Sequence, residues 1–143
     1  MNALLKYNFT IAGRILINQK GLVDYKIDNS DFKSMGHAQV YAWVIGQEIV
    51  YVGMASKGVQ KRLSEHRGGW RGGSQTGIQK EKLIRNELEL GKEIIVYGRT
   101  CGYFSKAVEI LGEQKDVRFN LVEHEEDLLL RKFKPIWNTV GIK

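Results

Sequence analysis

The run from Gln39 to His66, QVYAWVIGQEIVYVGMASKGVQKRLSEH, limits most strongly what this chain can fold into. Two apolar segments, VYAWVI and IVYVG, flank a turn at Gly46-Gln47-Glu48. Both are rich in β-branched and aromatic residues, so both read as strands of a hairpin. A polar segment with helical spacing follows directly, from Lys57 or Gly58 to His66, with Ser56 as the expected cap. Val59, Arg62, Leu63 and His66 recur at helical intervals, which stacks Arg62 and His66 beside an apolar stripe. Tyr41, Tyr51, Arg62 and His66 thus leave a hairpin and enter a helix with little chain between them. Such a set can handle a phosphate, and it lacks an acidic partner.

The turn decides whether the tyrosines act together. A two-residue turn, Gly46-Gln47, sets Tyr41 opposite Val52 and sends the tyrosines to opposite faces. A three-residue loop through Glu48 sets Tyr41 opposite Gly53 and Trp43 opposite Tyr51, with open space at Gly53 in front of Tyr41. A shared role for the tyrosines therefore requires the longer loop or a bulge. If both are core residues, either register serves.

At 143 residues the chain is most simply one domain with a real core. Its formal charge of +6 favours polyanionic partners, although many housekeeping proteins share such a balance. The one cysteine, Cys101, rules out an intrachain disulfide, fits a reducing compartment, and reads as a core residue at a strand end. No apolar run approaches the length of a membrane span, and no signal peptide is expected.

Residues 4–18 alternate loosely, Gln19-Lys20-Gly21 is a turn signal, and LVDYKI follows, so residues 1–37 read as a β-rich extension built on a hairpin. The glycine-rich stretch RGGWRGGSQTG, residues 67–77, reads as a basic loop without the Gly-Lys-Ser/Thr ending of a nucleotide-binding loop. Arg67, Trp70 and Arg71, together with Lys57, are candidates for DNA-backbone contact; Trp70 folded against the domain is the other reading. A second helix is expected from Ile78 to Leu90 and a third core strand from Ile94 to Cys101. YFSKAVEIL reads as helix or irregular chain, and Gly112 to Asp116 as a loop. A last helix from about Arg118 to Lys134 stops at Pro135.

That last helix carries the acids. Glu126 shares a side with Leu129, Leu130 and Phe133, whereas Glu125 points to the outer surface by the same spacing. A carboxylate beside a core is costly unless a cation or donor meets it. Next to a phosphodiester a divalent cation would serve; acids on a solvated helix face are the alternative. Asn138, after Pro135-Ile136-Trp137, either holds a loop by hydrogen bonds or forms a turn.

Val40-Tyr41, Tyr51-Val52-Gly53, Arg62, His66 and the ending EDLLLRKFKPIWN, taken in that order, resemble the GIY-YIG nuclease family. Gln39-Val40-Tyr41 stands where Gly-Ile-Tyr is usual, and the functional tyrosine is kept. VYAWVIGQEIVYVG, QKEKLI and VYGRTC are also similar to a small phage member of the family.

The resemblance implies an α+β fold: a small three-stranded antiparallel sheet flanked by helices, residues 38–143, behind the N-terminal hairpin extension. It implies hydrolysis of double-stranded DNA with Mg²⁺, or Mn²⁺ in its place, leaving 5′-phosphate and 3′-hydroxyl ends. Glu126 would bind the metal, Arg62 the phosphate oxygens, and Tyr41 the attacking water. Tyr51 and His66 would complete the network, with Tyr41 and His66 both open as the proton acceptor. Lys80 and Gly53 would support the site, and Asn138 would be structural. A homo-oligomer acting in the cytoplasm of a bacterial or phage-infected cell, in host DNA degradation or restriction, is implied as well. A site-specific restriction enzyme and a non-cleaving DNA-binding module on the same fold are the alternatives.

Overall fold

The computed structural model describes residues 3–139. Its middle is a sheet of five antiparallel strands: β1 (Thr10–Ile17), β2 (Val23–Ile27), β3 (Gln39–Ile45), β4 (Glu48–Ala55) and β5 (Ile94–Thr100), in the order β2-β1-β5-β3-β4. The sheet is thus larger than the three strands expected. The N-terminal hairpin forms, but β1 also pairs with β5 from Thr10 to Ile15, so the hairpin widens the sheet. Two helices, α1 (Val59–Gly68) and α2 (Gln75–Glu89), cover the face carrying Ala12, Ile15, Trp43 and Val96. A third, α3 (Val122–Phe133), covers the face carrying Val40, Ala42, Val44 and Val52. Both faces of β3 are buried, which is why VYAWVI has no polar alternation.

The central hairpin reverses in two residues, with Ile45 opposite Glu48. The register then shifts: Val44 opposes Ile49 and Trp43 opposes Tyr51, leaving Val50 as a bulged residue. Of the two conditions for a shared tyrosine face, the bulge is the one met. Beyond it Tyr41 lies opposite Gly53, and Tyr41, Trp43 and Tyr51 join the core on the α1 side.

Ser56 does not cap α1. The cap position is Gly58, at φ 105°, and the N–H of Val59 is taken by the side chain of Gln39 at 2.9 Å. Gln39 is buried, and its amide also donates to the Asp31 carbonyl at 2.9 Å. One side chain therefore ties β3, the segment before it and α1 together. Residues 67–77 are not an open loop either. Helix α1 runs to Gly68, one π-type turn spans Gly69–Gly73, and α2 starts beneath a Ser74 cap. A Cβ on Gly77 would overlap the Gly69 backbone, so glycine here serves close packing of two helix ends.

Tyr103–Ile110, expected as helix or irregular chain, is a strand, β6; it pairs with β7 (Glu113–Asn120) in a hairpin separate from the main sheet. Consequently α3 begins at Val122, well after Arg118. The hairpin turns on Leu111 and Gly112, both at positive φ, 51° and 83°. Leucine is a poor signal for that geometry, and this concealed the turn.

After α3 the chain returns to the sheet through a short turn, Ile136–Thr139. Asn138 lies against the outer strand β4: its Oδ1 accepts from Val52 N at 2.9 Å, and its Nδ2 donates to Val52 O at 2.7 Å. One amide side chain thus satisfies a backbone pair that the sheet edge leaves open. Asn138→Ala should lower stability by about 1–3 kcal/mol, read as an earlier urea midpoint. An unchanged midpoint would show that water replaces the amide without loss.

Candidate active site

A cleft of ≈ 570 Å³ opens along β4, walled by Tyr41 of β3, Tyr51 and Gly53 of β4, Arg62 of α1 and Glu126 of α3. Because β4 is the sheet edge, residues from helices on opposite faces reach the same space. The aim of Glu126 is set by its neighbour. Glu125 contacts Arg99 Nε at 3.0 Å and accepts from Gly102 N at 2.6 Å, so it anchors α3 to the end of β5. The outward position expected for Glu125 is corrected accordingly: it is partly buried, and the next residue along the helix faces the cleft.

The phenol of Tyr41 lies over Gly53, where any Cβ would overlap it. Its hydroxyl is 2.6 Å from Nε2 of His66. His66 is only 8% exposed and sits among Trp43, Tyr51 and Trp70, with ring centroids 5.0, 5.5 and 6.2 Å away. Burial, joined by the positive charges of Arg62 and Lys80, pushes its pKa down to about 3. The imidazole is therefore neutral at working pH.

Burial raises both tyrosines. Tyr41 rises well above the usual phenol range, with Tyr51 adding to the effect and Arg62 opposing it. Tyr51 rises too, again against Arg62. The arginine charge alone does not make Tyr41 a phenolate. For Arg62, burial opposes the charge, but Tyr41, Tyr51 and Glu65 more than offset it. Lys80 lies 4.5 Å from the centre of the Tyr51 ring, and burial followed by Arg62 lowers its pKa. Burial raises Glu126, opposed by the Met54 backbone and Arg62.

Lys57 lines the cleft as well, exposed to solvent. Lys61 and Glu65 line it too and were not singled out from sequence, although each stands within one helical turn of Arg62. Trp70 is 4% exposed and packs edge-on against Trp43, so it belongs to the core and is corrected as a DNA contact. Arg67 and Arg71 are both committed to β2. Arg67 pairs with Asp24 at 3.2 Å and stacks over Tyr25; Arg71 donates to the Val23 carbonyl at 3.0 Å.

Among the described residues no group of three acidic, histidine or cysteine side chains could enclose a metal ion. The cleft offers two carboxylates, the half-buried Glu126 and the exposed Glu65, and among the described residues neither has a cation in ion-pair contact. That donor set fits Mg²⁺, which takes one or two carboxylates and fills its shell with phosphate oxygens and water.

No family model matches the sequence, and no curated protein matches it. Solved structures do, and they establish the fold as that of the GIY-YIG nucleases. A mutant of bacteriophage T4 EndoII superposes on 94% of this chain and 95% of its own, with a TM-score of 0.74 at 23% identity. Restriction endonuclease Hpy188I, solved in complex with product DNA, superposes on 96% of this chain and 80% of its own, with a TM-score of 0.54 at 17% identity. At 94% of this chain, the shared architecture takes in the N-terminal hairpin as well as the strands and helices behind it.

The His66 environment predicts a specific acid response. With a folded pKa of about 3 against an ordinary 6.5, the unfolded chain binds a proton that the fold refuses. This residue therefore lowers stability as pH falls from about 6.5 to about 3, by at most about 1.4 kcal/mol per unit. The His66 ring resonances in NMR should stay those of a neutral imidazole down to about pH 4. A midpoint near pH 6 would contradict the sealed environment.

Proposed function

We propose that this chain is a metal-dependent endonuclease that hydrolyses double-stranded DNA, leaving 5′-phosphate and 3′-hydroxyl ends. One observation carries the reading: Tyr41, Tyr51, Arg62 and Glu126 line one cleft at the open edge of β4, although they come from four elements. A cleft holding a guanidinium and a carboxylate that has no ion-pair partner among the described residues suits a phosphodiester with a divalent cation.

In this mechanism Arg62 grips the non-bridging oxygens, where charge grows as water attacks phosphorus. With His66 in the Nδ1-protonated tautomer, the Tyr41 hydroxyl donates to His66 Nε2, 2.6 Å away, and its oxygen accepts a hydrogen bond from that water. As the phosphorus–oxygen bond forms, the water proton passes to Tyr41 and the Tyr41 proton passes to His66. Approach of the anionic phosphate favours the resulting imidazolium. The bond from phosphorus to the 3′-oxygen breaks, and that oxygen takes a proton from solvent. Tyr51 holds the phosphate from the β4 side, and Lys80 adds positive charge behind it. Glu126 would hold Mg²⁺, or Mn²⁺ in its place, which supplies neutralising charge at the departing oxygen.

A homo-oligomer fits this reading. The β6–β7 hairpin presents Phe104, Val108, Ile110, Val117 and Phe119 on one face by its register, and Phe104 and Phe119 stack 5.1 Å apart with about half their surface open. A two-stranded ribbon is marginal alone, and a second copy would cover that face. The place of work would be the cytoplasm of a bacterial or phage-infected cell, where its substrate lies.

The test is conversion of supercoiled plasmid to nicked and linear forms with Mg²⁺, with Mn²⁺ and with chelator. Wild-type protein should cut only with metal, and Glu126→Ala should slow cutting by about a thousandfold. A folded Glu126→Ala protein that cuts at the wild-type rate would end the metal assignment.

A further inference from the structure

The polar face of the β6–β7 hairpin carries a feature that the cleft does not use. The register places Tyr103 and Ser105 opposite Asn120 and Arg118, on the face away from the apolar residues. The Arg118 guanidinium lies 3.5 Å over the Tyr103 ring. Among the described residues Arg118 forms no ion pair. Asp116 and Glu109 share the face but sit nearer the tip by the same register. The base of the hairpin therefore holds a positive charge against the Tyr103 ring, with no anion among the described residues paired to it.

That charge borders a hollow of ≈ 290 Å³, lined also by His37, Ser56, Thr100 and Asn120. Ser56 lines the catalytic cleft too, so the two spaces share a wall at the turn between β4 and α1. A strand leaving the cleft past Ser56 runs into the hairpin base. We propose that Arg118, held flat by Tyr103, binds a backbone phosphate of the DNA strand flanking the scissile bond. The chemistry selects a phosphate over a base: the guanidinium already occupies one face of the Tyr103 ring, while its N–H edges stay free for oxygens. Asn120, Ser56 and Thr100 add neutral donors around the hollow.

The proposal rests on the nuclease reading for the identity of its ligand, and the two are separable. DNA binding is measured by fluorescence anisotropy of a labelled duplex with chelator present, so that no cutting intervenes. Arg118→Gln should weaken binding about tenfold, and the slope of log affinity against log salt should shrink by about 0.9, one phosphate contact. Tyr103→Ala should lose part of the affinity and keep the slope, because the charge remains. Arg118→Lys should restore the slope, which a merely structural role would not require. Wild-type affinity and slope in a folded Arg118→Gln protein overturn the site while leaving cleavage by the wild type untouched. Wild-type protein that binds DNA with the full slope but never cuts it overturns the nuclease reading and leaves this site standing. Absence of DNA binding by the wild type overturns both.

Discussion

The Tyr41 hydroxyl, at the wall of the cleft, and the His66 imidazole, buried behind it in the aromatic layer, are hydrogen-bonded at 2.6 Å. Either group left alone there would cost about 1–3 kcal/mol. The pair therefore fixes the distance between β3 and α1, and with it the place of Arg62 one turn before His66. Gly53 leaves the space in which the phenol lies, and the bulge at Val50 supplies the register that brings Gly53 opposite. Trp43, Trp70 and Tyr51 close around the imidazole and keep it neutral. On the proposed function, stability and chemistry use the same contact.

A sheet edge is usually a liability, because its backbone groups invite pairing with other chains. Here the edge is used. Asn138 occupies one backbone pair of β4, and the cleft occupies the stretch beside it. The edge position is also what lets an acid from one side of the sheet meet an arginine from the other. Glu125 completes that arrangement from behind: its contacts with Arg99 and Gly102 fix the rotation of α3 about its axis. Two adjacent acids thus divide the work, one holding the helix and one facing the cleft.

Local signals in the sequence marked the central hairpin, the three helices and four residues that line the cleft, Tyr41, Tyr51, Arg62 and Glu126. Their periodicities are short, and spacing alone puts Arg62 with His66 and Glu126 toward the sheet. What the sequence concealed depended on distant partners. Nothing near β1 announces that β5 will pair with it, so the five-stranded sheet read as three strands and an extension. Gln39 caps a helix that begins twenty residues later, which displaced the nearer candidate Ser56. The glycines of residues 67–77 read as a loop, but Gly77 permits close packing against Gly69, and Trp70 lies in the core. In the β6–β7 hairpin Lys106, Glu113 and Lys115 interrupt the alternation of Phe104, Val108, Ile110, Val117 and Phe119, so the strand pattern is broken and passes for a helix when its turn is Leu-Gly.

On the proposed function, one phenol, steered by one neutral imidazole, orients the water that attacks DNA. Tyr41→Phe removes that oxygen and keeps the ring that fills the space over Gly53. Measured as single-turnover plasmid cleavage with Mg²⁺, the folded variant should be slower by about a hundredfold or more, with DNA still bound. Cleavage by folded Tyr41→Phe protein at the wild-type rate would contradict the account.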